Sequence, residues 1–165
     1  LCAEVTVFRN DEFDLEDLAS FEKILLSPGP GIPNEAGLLK EVIKTYDKTK
    51  DIFGVCLGLQ AIGEIYGGKL TNLDAVFHGV ATKISVTNDD YIFDNLPQNF
   101  EVGRYHSWVV ATENLPDSLI VTSIDENGEI MSLKHKQLNV RGVQFHPESV
   151  LTPNGKQILE NWLKA

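Results

Sequence analysis

Two short segments hold residues able to act as a nucleophile and its base. The first is Gly54-Val55-Cys56-Leu57-Gly58, a cysteine with a glycine two places away on either side. An apolar run, Asp51–Val55, precedes it and a helix-like stretch follows. That is the setting of a nucleophile elbow, a tight strand-to-helix turn that lifts one side chain clear of the backbone. At a helix N-terminus the dipole favours thiolate over thiol, and the next backbone N–H, that of Leu57, is free to donate to an oxyanion. A buried structural cysteine among loop glycines has the same local pattern, since so short a motif recurs by accident.

A cysteine nucleophile needs a base, and the chain has four histidines, His78, His106, His135 and His146. His146 ends the apolar run Val140–Phe145, and Pro147 biases it toward extended backbone. Residues two apart in extended backbone point to one side, so Glu148 projects alongside His146. A carboxylate there holds the imidazole's tautomer and stabilises its charged form. A surface histidine beside an incidental glutamate would read the same way; the elbow cysteine shifts the balance to a Cys56–His146–Glu148 triad. His106, in Arg104-Tyr105-His106-Ser107-Trp108, has no neighbouring carboxylate and reads as a packing or rim residue. His78 carries less signal still, and His135, between Lys134 and Lys136, reads as a solvated strand position. Cys2 has no glycine elbow and reads as inert. The run Asp11–Asp17 reads as a solvated helix start, and no H-x-x-x-H, C-x-x-C or calcium-loop spacing occurs. No metal and no cofactor is expected.

These groups depend on the elements that carry them. Val5, Thr6, Val7 and Phe8 predict an opening strand, and Asp14–Phe21 a weakly patterned helix. Lys23–Leu26 is an apolar run that stops at Ser27-Pro28-Gly29-Pro30-Gly31, as a buried parallel strand does. Asn34 is placed to cap a helix with Leu38, Leu39, Val42, Ile43 and Tyr46 along one stripe. A second strand, Asp51–Val55, leads through Cys56 into a helix ending near Gly67-Gly68. Alternating strands and helices with short loops predict a parallel sheet covered on both faces. Farther on, Val76–Thr87, Gly103–Ala111, Leu119–Ile124, Ile130–His135 and Val140–Phe145 read as strands. Their loops are too short for crossover helices, so several pair antiparallel. A closing helix, Gly155–Leu163, carries Ile158, Leu159, Trp162 and Leu163 on one side.

The expected fold is α/β, a three-layer sandwich with a mostly parallel central sheet and an antiparallel extension, in one domain over residues 1–165. Ligands of such sheets sit beyond the carboxyl ends of strands, so the Ser27–Gly31 loop and Cys56 share a crevice. A rigid Pro/Gly turn without a ligand fits the loop's composition equally. Gln60, one helical turn after Cys56, lies on the same helix face. Twenty-four acidic residues against 14 basic ones give a net charge of −10, which repels phosphate backbones and anionic lipid; neither nucleic acid nor a membrane is an expected partner. The apolar runs are too short to span a bilayer. Two cysteines make no disulfide framework and suit a reducing, cytoplasmic location.

Three blocks, in order, resemble the class I (triad-type) glutamine amidotransferases: Leu26-Ser27-Pro28-Gly29-Pro30-Gly31, Gly54-Val55-Cys56-Leu57-Gly58-Leu59-Gln60-Ala61-Ile62, and Gln144-Phe145-His146-Pro147-Glu148-Ser149. The similarity runs from Glu4 to the C-terminus. Arg104–Trp108 and His146–Thr152 look like the glutaminase components of anthranilate synthase and aminodeoxychorismate synthase. The resemblance implies a flavodoxin-like fold, with Cys56 as nucleophile, His146 as general base and acid, and Glu148 as its orienter. It implies that Gly29, Pro30, Gly31, Gln60, Ser107 and Trp108 hold L-glutamine, and that the Leu57 N–H and the glycine-loop backbone form the oxyanion hole. It implies a partner that receives ammonia, a larger, chorismate-binding synthase subunit, because 165 residues leave no room for a synthase domain. Anthranilate synthase, hence tryptophan biosynthesis, is the first reading. Aminodeoxychorismate synthase in folate biosynthesis, a stand-alone cysteine γ-glutamyl hydrolase and a non-catalytic regulatory module are the alternatives.

The chain departs from the family pattern twice. Leu59 stands where these components commonly have histidine. The family also opens with a further strand and helix, joined by a loop rich in Asp, Ser and Phe near the partner interface, and this chain begins after them. The domain is therefore expected to be N-terminally incomplete, in keeping with Met131 as its only methionine, and to leave apolar surface and unpaired backbone where that strand would lie.

Overall fold

The computed structural model describes residues 3–165, so Cys2 lies outside the described residues. In chain order the elements are β1 (Lys23–Leu26), α1 (Leu39–Tyr46), β2 (Asp51–Val55), α2 (Leu57–Ile65), β3 (Leu70–Asn72), β4 (Val80–Val86), β5 (Asn99–Arg104), β6 (Trp108–Val110), β7 (Leu119–Asp125), β8 (Ile130–His135), β9 (Val140–Val143) and α3 (Gly155–Lys164). A seven-stranded sheet runs in the order β1-β2-β9-β8-β7-β4-β5, and β3 and β6 form a separate two-stranded ribbon. β2 pairs parallel with β1 and with β9, whereas the pairings of β9 with β8, β8 with β7, β7 with β4 and β4 with β5 are antiparallel. The sheet is mixed, and its antiparallel extension is larger than the strand–helix alternation of the first half suggests.

Alternation along β2 divides the core into two layers. Ile52 points to one face, with Leu39, Val42 and Ile43 of α1 and Leu59 and Ile62 of α2. Phe53 and Val55 point to the other, with Ile158 and Trp162 of α3. The Phe53 and Trp162 rings lie 5.4 Å apart, pinning α3 to the sheet. The helices form for different reasons. α1 buries the stripe Leu39, Val42 and Ile43, whereas α2 is buried from Leu57 to Gly63. Such close approach from several sides is open to α2 because Gly58, Ala61 and Gly63 are small.

Several boundaries differ from the sequence expectation. No strand forms at Val5–Phe8; Val5 and Val7 are 74% and 85% exposed. Only the Phe8 side of that segment finds apolar partners, its ring lying 5.5 Å from Phe13 and 5.8 Å from Phe21. Between Asp14 and Phe21 a single 3-10 turn, Leu15–Leu18, replaces the expected helix. Asn34 does not cap α1: it sits in the 3-10 turn Pro33–Glu35, and Gly37, at φ 54°, redirects the chain before α1 begins at Leu39. The segment read as one strand, Gly103–Ala111, breaks after Arg104, and its second half pairs with the unanticipated β3. Among the described residues no helix is long and apolar enough to cross a membrane.

Candidate active site

β2 and β9 end side by side, and the two chemical segments begin there. Cys56 follows β2 directly and precedes α2; its N–H donates to the Val143 carbonyl at the end of β9 (2.8 Å), and its own carbonyl accepts from the Gln60 N–H (3.1 Å). Its backbone has φ 52° and ψ −101°, a strained conformation for a residue with a side chain. The flanking glycines make this turn possible. A Cβ on Gly54 would fall 2.5 Å from the Gly58 carbonyl carbon, and one on Gly58 2.5 Å from the Leu26 carbonyl oxygen. The elbow predicted from the five-residue pattern is thus present.

The expected thiolate is not. Cys56 is only 6% exposed, and burial pushes its thiol up to about 11, with the Glu148 charge adding to the rise. The Leu57 N–H and the Gln144 amide pull the other way without overcoming desolvation. In the resting protein the sulfur is therefore a protonated thiol at neutral pH.

His146 is held at three points. Its N–H donates to the Gly103 carbonyl (3.0 Å), its carbonyl accepts from Thr152 Oγ1 (2.6 Å), and its Nδ1 lies 2.7 Å from Glu148 Oε1. A carboxylate only accepts, so the proton of the neutral ring sits on Nδ1 and Nε2 is left as the basic nitrogen. Nε2 is buried and has no hydrogen-bond partner among the described residues. The Tyr105 ring covers the imidazole at 4.8 Å, and its hydroxyl shares a hydrogen bond with Ser149 Oγ (3.0 Å).

The remaining predicted residues fall around this pair. Gly29, Pro30 and Gly31 are exposed, and Gly29 packs so closely on Leu57 that a Cβ would lie 2.9 Å from Leu57 Cδ2. Ser107 and Trp108 are half-buried at the start of β6; the Ser107 carbonyl accepts from the Leu73 N–H (2.7 Å). Gln60 is buried, and its amide nitrogen donates to the Trp108 carbonyl (2.8 Å) and to Gln144 Oε1 (3.3 Å). The glycine loop, elbow, β6 and β9 ends thus meet in one place.

Residues not singled out from the sequence support them. Arg104 is almost fully buried; Nη1 donates to Asp125 Oδ2 at 2.6 Å and Nε to His106 Nε2 at 3.1 Å. Its guanidinium also stacks 3.6 Å from the Phe77 ring centroid. His106 is thereby a packed, neutral residue, its pKa lowered to about 3 by burial and by the Arg104 charge. An arginine and an aspartate closing two strand patterns were the available signal. Gln144 was equally readable: it stands two residues before His146, on the same side in extended backbone. His135 does more than face solvent. Its Nδ1 accepts from the N–H groups of Gln137 (3.1 Å) and Leu138 (3.0 Å), tying the β8–β9 turn together. No group of three or more His, Cys, Asp or Glu arranged to hold a metal occurs among the described residues.

The arrangement is equipped for nucleophilic acyl transfer: a cysteine on an elbow, a histidine oriented by a carboxylate, and the Leu57 N–H at the sulfur. Comparison with known proteins agrees in kind. The family model for class-I glutamine amidotransferases matches residues 1–165. Anthranilate synthase component 2 of Pseudomonas aeruginosa is 44% identical over 171 residues, spanning 99% of this chain and 85% of the relative. Aminodeoxychorismate synthase component 2 of Escherichia coli is 43% identical over 165 residues, spanning 99% and 88%. Bifunctional protein TrpGD of Thermotoga maritima is 44% identical over 162 residues, 97% of this chain but only 27% of that longer protein. Among solved structures, a Thermoplasma acidophilum protein described as a GMP synthase subunit superposes with a TM-score of 0.83 at 27% identity, covering 94% of this chain and 77% of that one. The chain belongs to the class-I glutamine amidotransferase family.

Proposed function

We propose that this chain hydrolyses L-glutamine and passes the ammonia to a larger chorismate-binding synthase subunit, with anthranilate synthase the first candidate for the assembly. The observation that carries the chemistry is the pairing of an elbow cysteine with a carboxylate-oriented histidine on the adjoining strand ends, Cys56 after β2 and His146 after β9. In this mechanism the basic Nε2 of His146 takes the Cys56 proton as the thiolate attacks the carbon of the side-chain carboxamide. The oxyanion is held by the backbone N–H groups of Leu57, Gly29 and Gly31, with Pro30 holding the loop between the two glycines. His146 returns its proton to the leaving nitrogen, ammonia departs, and a thioester remains. Water, deprotonated by the same imidazole, then releases glutamate and restores the thiol. Gln60, Ser107 and Trp108 line the glutamine side of the site.

The resting thiol, protonated and buried, supports a partner-dependent rate: closing the site on glutamine beside the synthase would supply the alignment that the isolated chain lacks. The aminodeoxychorismate reading is favoured by one observation of its own, the 43% identity and near-complete coverage of the Escherichia coli component. Co-purification separates them, since the synthase captured identifies the assembly. The catalytic proposal is tested in purified complex with Cys56→Ala. Glutamine-dependent product formation should be lost while ammonium-dependent formation persists; retained glutamine-dependent turnover would overturn it. A cytoplasmic location goes with this function.

A further inference from the structure

The mechanism above leaves one side chain on the sulfur without a task. Gln144 is fully buried, 0% exposed, and its Nε2 lies 3.5 Å from Cys56 Sγ. Its backbone N–H donates to the Met131 carbonyl (2.8 Å), so the residue is fixed to β8 as well as to the end of β9. Its Oε1 accepts from Gln60 Nε2 (3.3 Å), and that same nitrogen donates to the Trp108 carbonyl (2.8 Å).

The two ends of a carboxamide are alike in size, so hydrogen-bond partners decide its orientation. A backbone carbonyl only accepts; Trp108 therefore holds the nitrogen of Gln60 on its side. That nitrogen in turn calls for the oxygen of Gln144, which leaves the Gln144 NH2 facing sulfur. Reversing Gln144 would set two donors against each other and aim a carbonyl oxygen at Sγ. A thiol is a poor acceptor and a thiolate a good one, so a donor fixed at this place favours the charged form selectively.

We propose that Gln144 is a catalytic residue that donates a hydrogen bond to the Cys56 thiolate, and that Gln60 is a positioning residue that fixes which end of the Gln144 amide meets the sulfur. This rests on Cys56 being the nucleophile. It also gives Gln60 a task besides lining the glutamine site, because the Trp108 carbonyl at the site wall sets the polarity of the whole relay.

The test is the pH dependence of iodoacetamide alkylation of the full chain, with peptide mass mapping to separate Cys56 from Cys2. Gln144→Met keeps length and volume and removes the donor. Its alkylation near neutral pH should slow about tenfold, as the titration midpoint rises by about one unit. Gln60→Met leaves Gln144 intact but free to reverse, and should slow alkylation near neutral pH by a smaller factor. Gln144→Glu, the same shape with an anionic oxygen toward sulfur, should slow alkylation further. An unchanged alkylation rate between about pH 7 and 9 in any of the three, with circular dichroism as in wild type, overturns the proposal; a purely structural Gln144 would lower stability without changing that rate. Failure of the nucleophile reading is seen separately, as glutamine hydrolysis that survives Cys56→Ser.

Discussion

Glu148 Oε1 sits 2.7 Å from His146 Nδ1, while the opposite ring nitrogen is buried without a partner among the described residues. One contact thus fixes both the proton and the direction of the base. Replacing Glu148 by Gln would let the amide donate to Nδ1 and move the ring proton to Nε2, the wrong nitrogen for accepting the thiol proton. Glutamine-dependent kcat should fall by about 10²–10⁴-fold, the range seen when a triad's orienting carboxylate is neutralised or a general base is lost. The KM for glutamine should change little, which steady-state kinetics of the complex would show.

The pH dependence of Cys56 follows from its burial. The thiol titrates near 11 in the free protein, and only the thiolate alkylates, so iodoacetamide reactivity should climb through pH 8, 9 and 10 without a plateau. A plateau reached by about pH 8 would mean the sulfur is already ionised at rest.

The strained elbow makes a stability prediction of unusual sign. Glycine in place of alanine ordinarily destabilises, but at Cys56, with φ 52°, the alanine variant keeps the strain and the glycine variant relieves it. Cys56→Gly should be more stable than Cys56→Ala by about 1–2 kcal/mol in urea denaturation, with both inactive on glutamine.

Asp125 meets three groups: Arg104 Nη1 at 2.6 Å through Oδ2, and the N–H groups of Asn127 and Glu129, each at 2.9 Å, through Oδ1. Asp125→Ala strands the buried guanidinium and should cost about 3–5 kcal/mol, the usual penalty for removing one partner of a buried pair. Arg104→Met with Asp125→Leu, removing both charges, should recover much of that loss in a double-mutant cycle.

His106 governs the acid limb of stability. Its pKa is lowered to about 3 in the folded protein against about 6.5 unfolded. Below pH 6.5 the unfolded chain binds a proton that the folded one refuses, so stability is lost as pH falls through that window. The slope reaches at most about 1.4 kcal/mol per pH unit for this one group. His106→Gln should lower stability at pH 7 yet flatten the decline from pH 6.5 to about 4, measurable as urea midpoints at each pH.

Much of this site was legible from residue order. Gly54 and Gly58 around Cys56 announced the elbow because only glycine clears the opposing carbonyls, and the two-residue step from His146 to Glu148 announced their contact. The strand break at Tyr105–Ser107 was not legible, since Gly103–Ala111 is apolar enough to read as one strand and the break depends on β3 claiming its second half. The thiol's protonation was missed for a related reason. A helix terminus is visible in sequence, but the desolvation that outweighs it comes from burial of the sulfur in the folded core, which a local pattern does not show. Val5 and Val7 show the converse: alternation suggested a strand, yet a strand exists only where another offers it hydrogen bonds.

The two walls of the site rise from different sheets, joined by hydrogen bonds through Gln60. Cys56 and His146 rise from the seven-stranded sheet, whereas Trp108 belongs to the two-stranded ribbon of β6 and β3, joined to that sheet through the Tyr105–Ser107 link. Val110 of the ribbon is fully buried and packs on Gly63 of α2, so a change of side chain there would be felt as a change in the spacing between walls. Because the Trp108 carbonyl also orients Gln60 and, through it, the Gln144 amide at the sulfur, a displacement of the ribbon reaches both the fit of the substrate and the reactivity of the thiol.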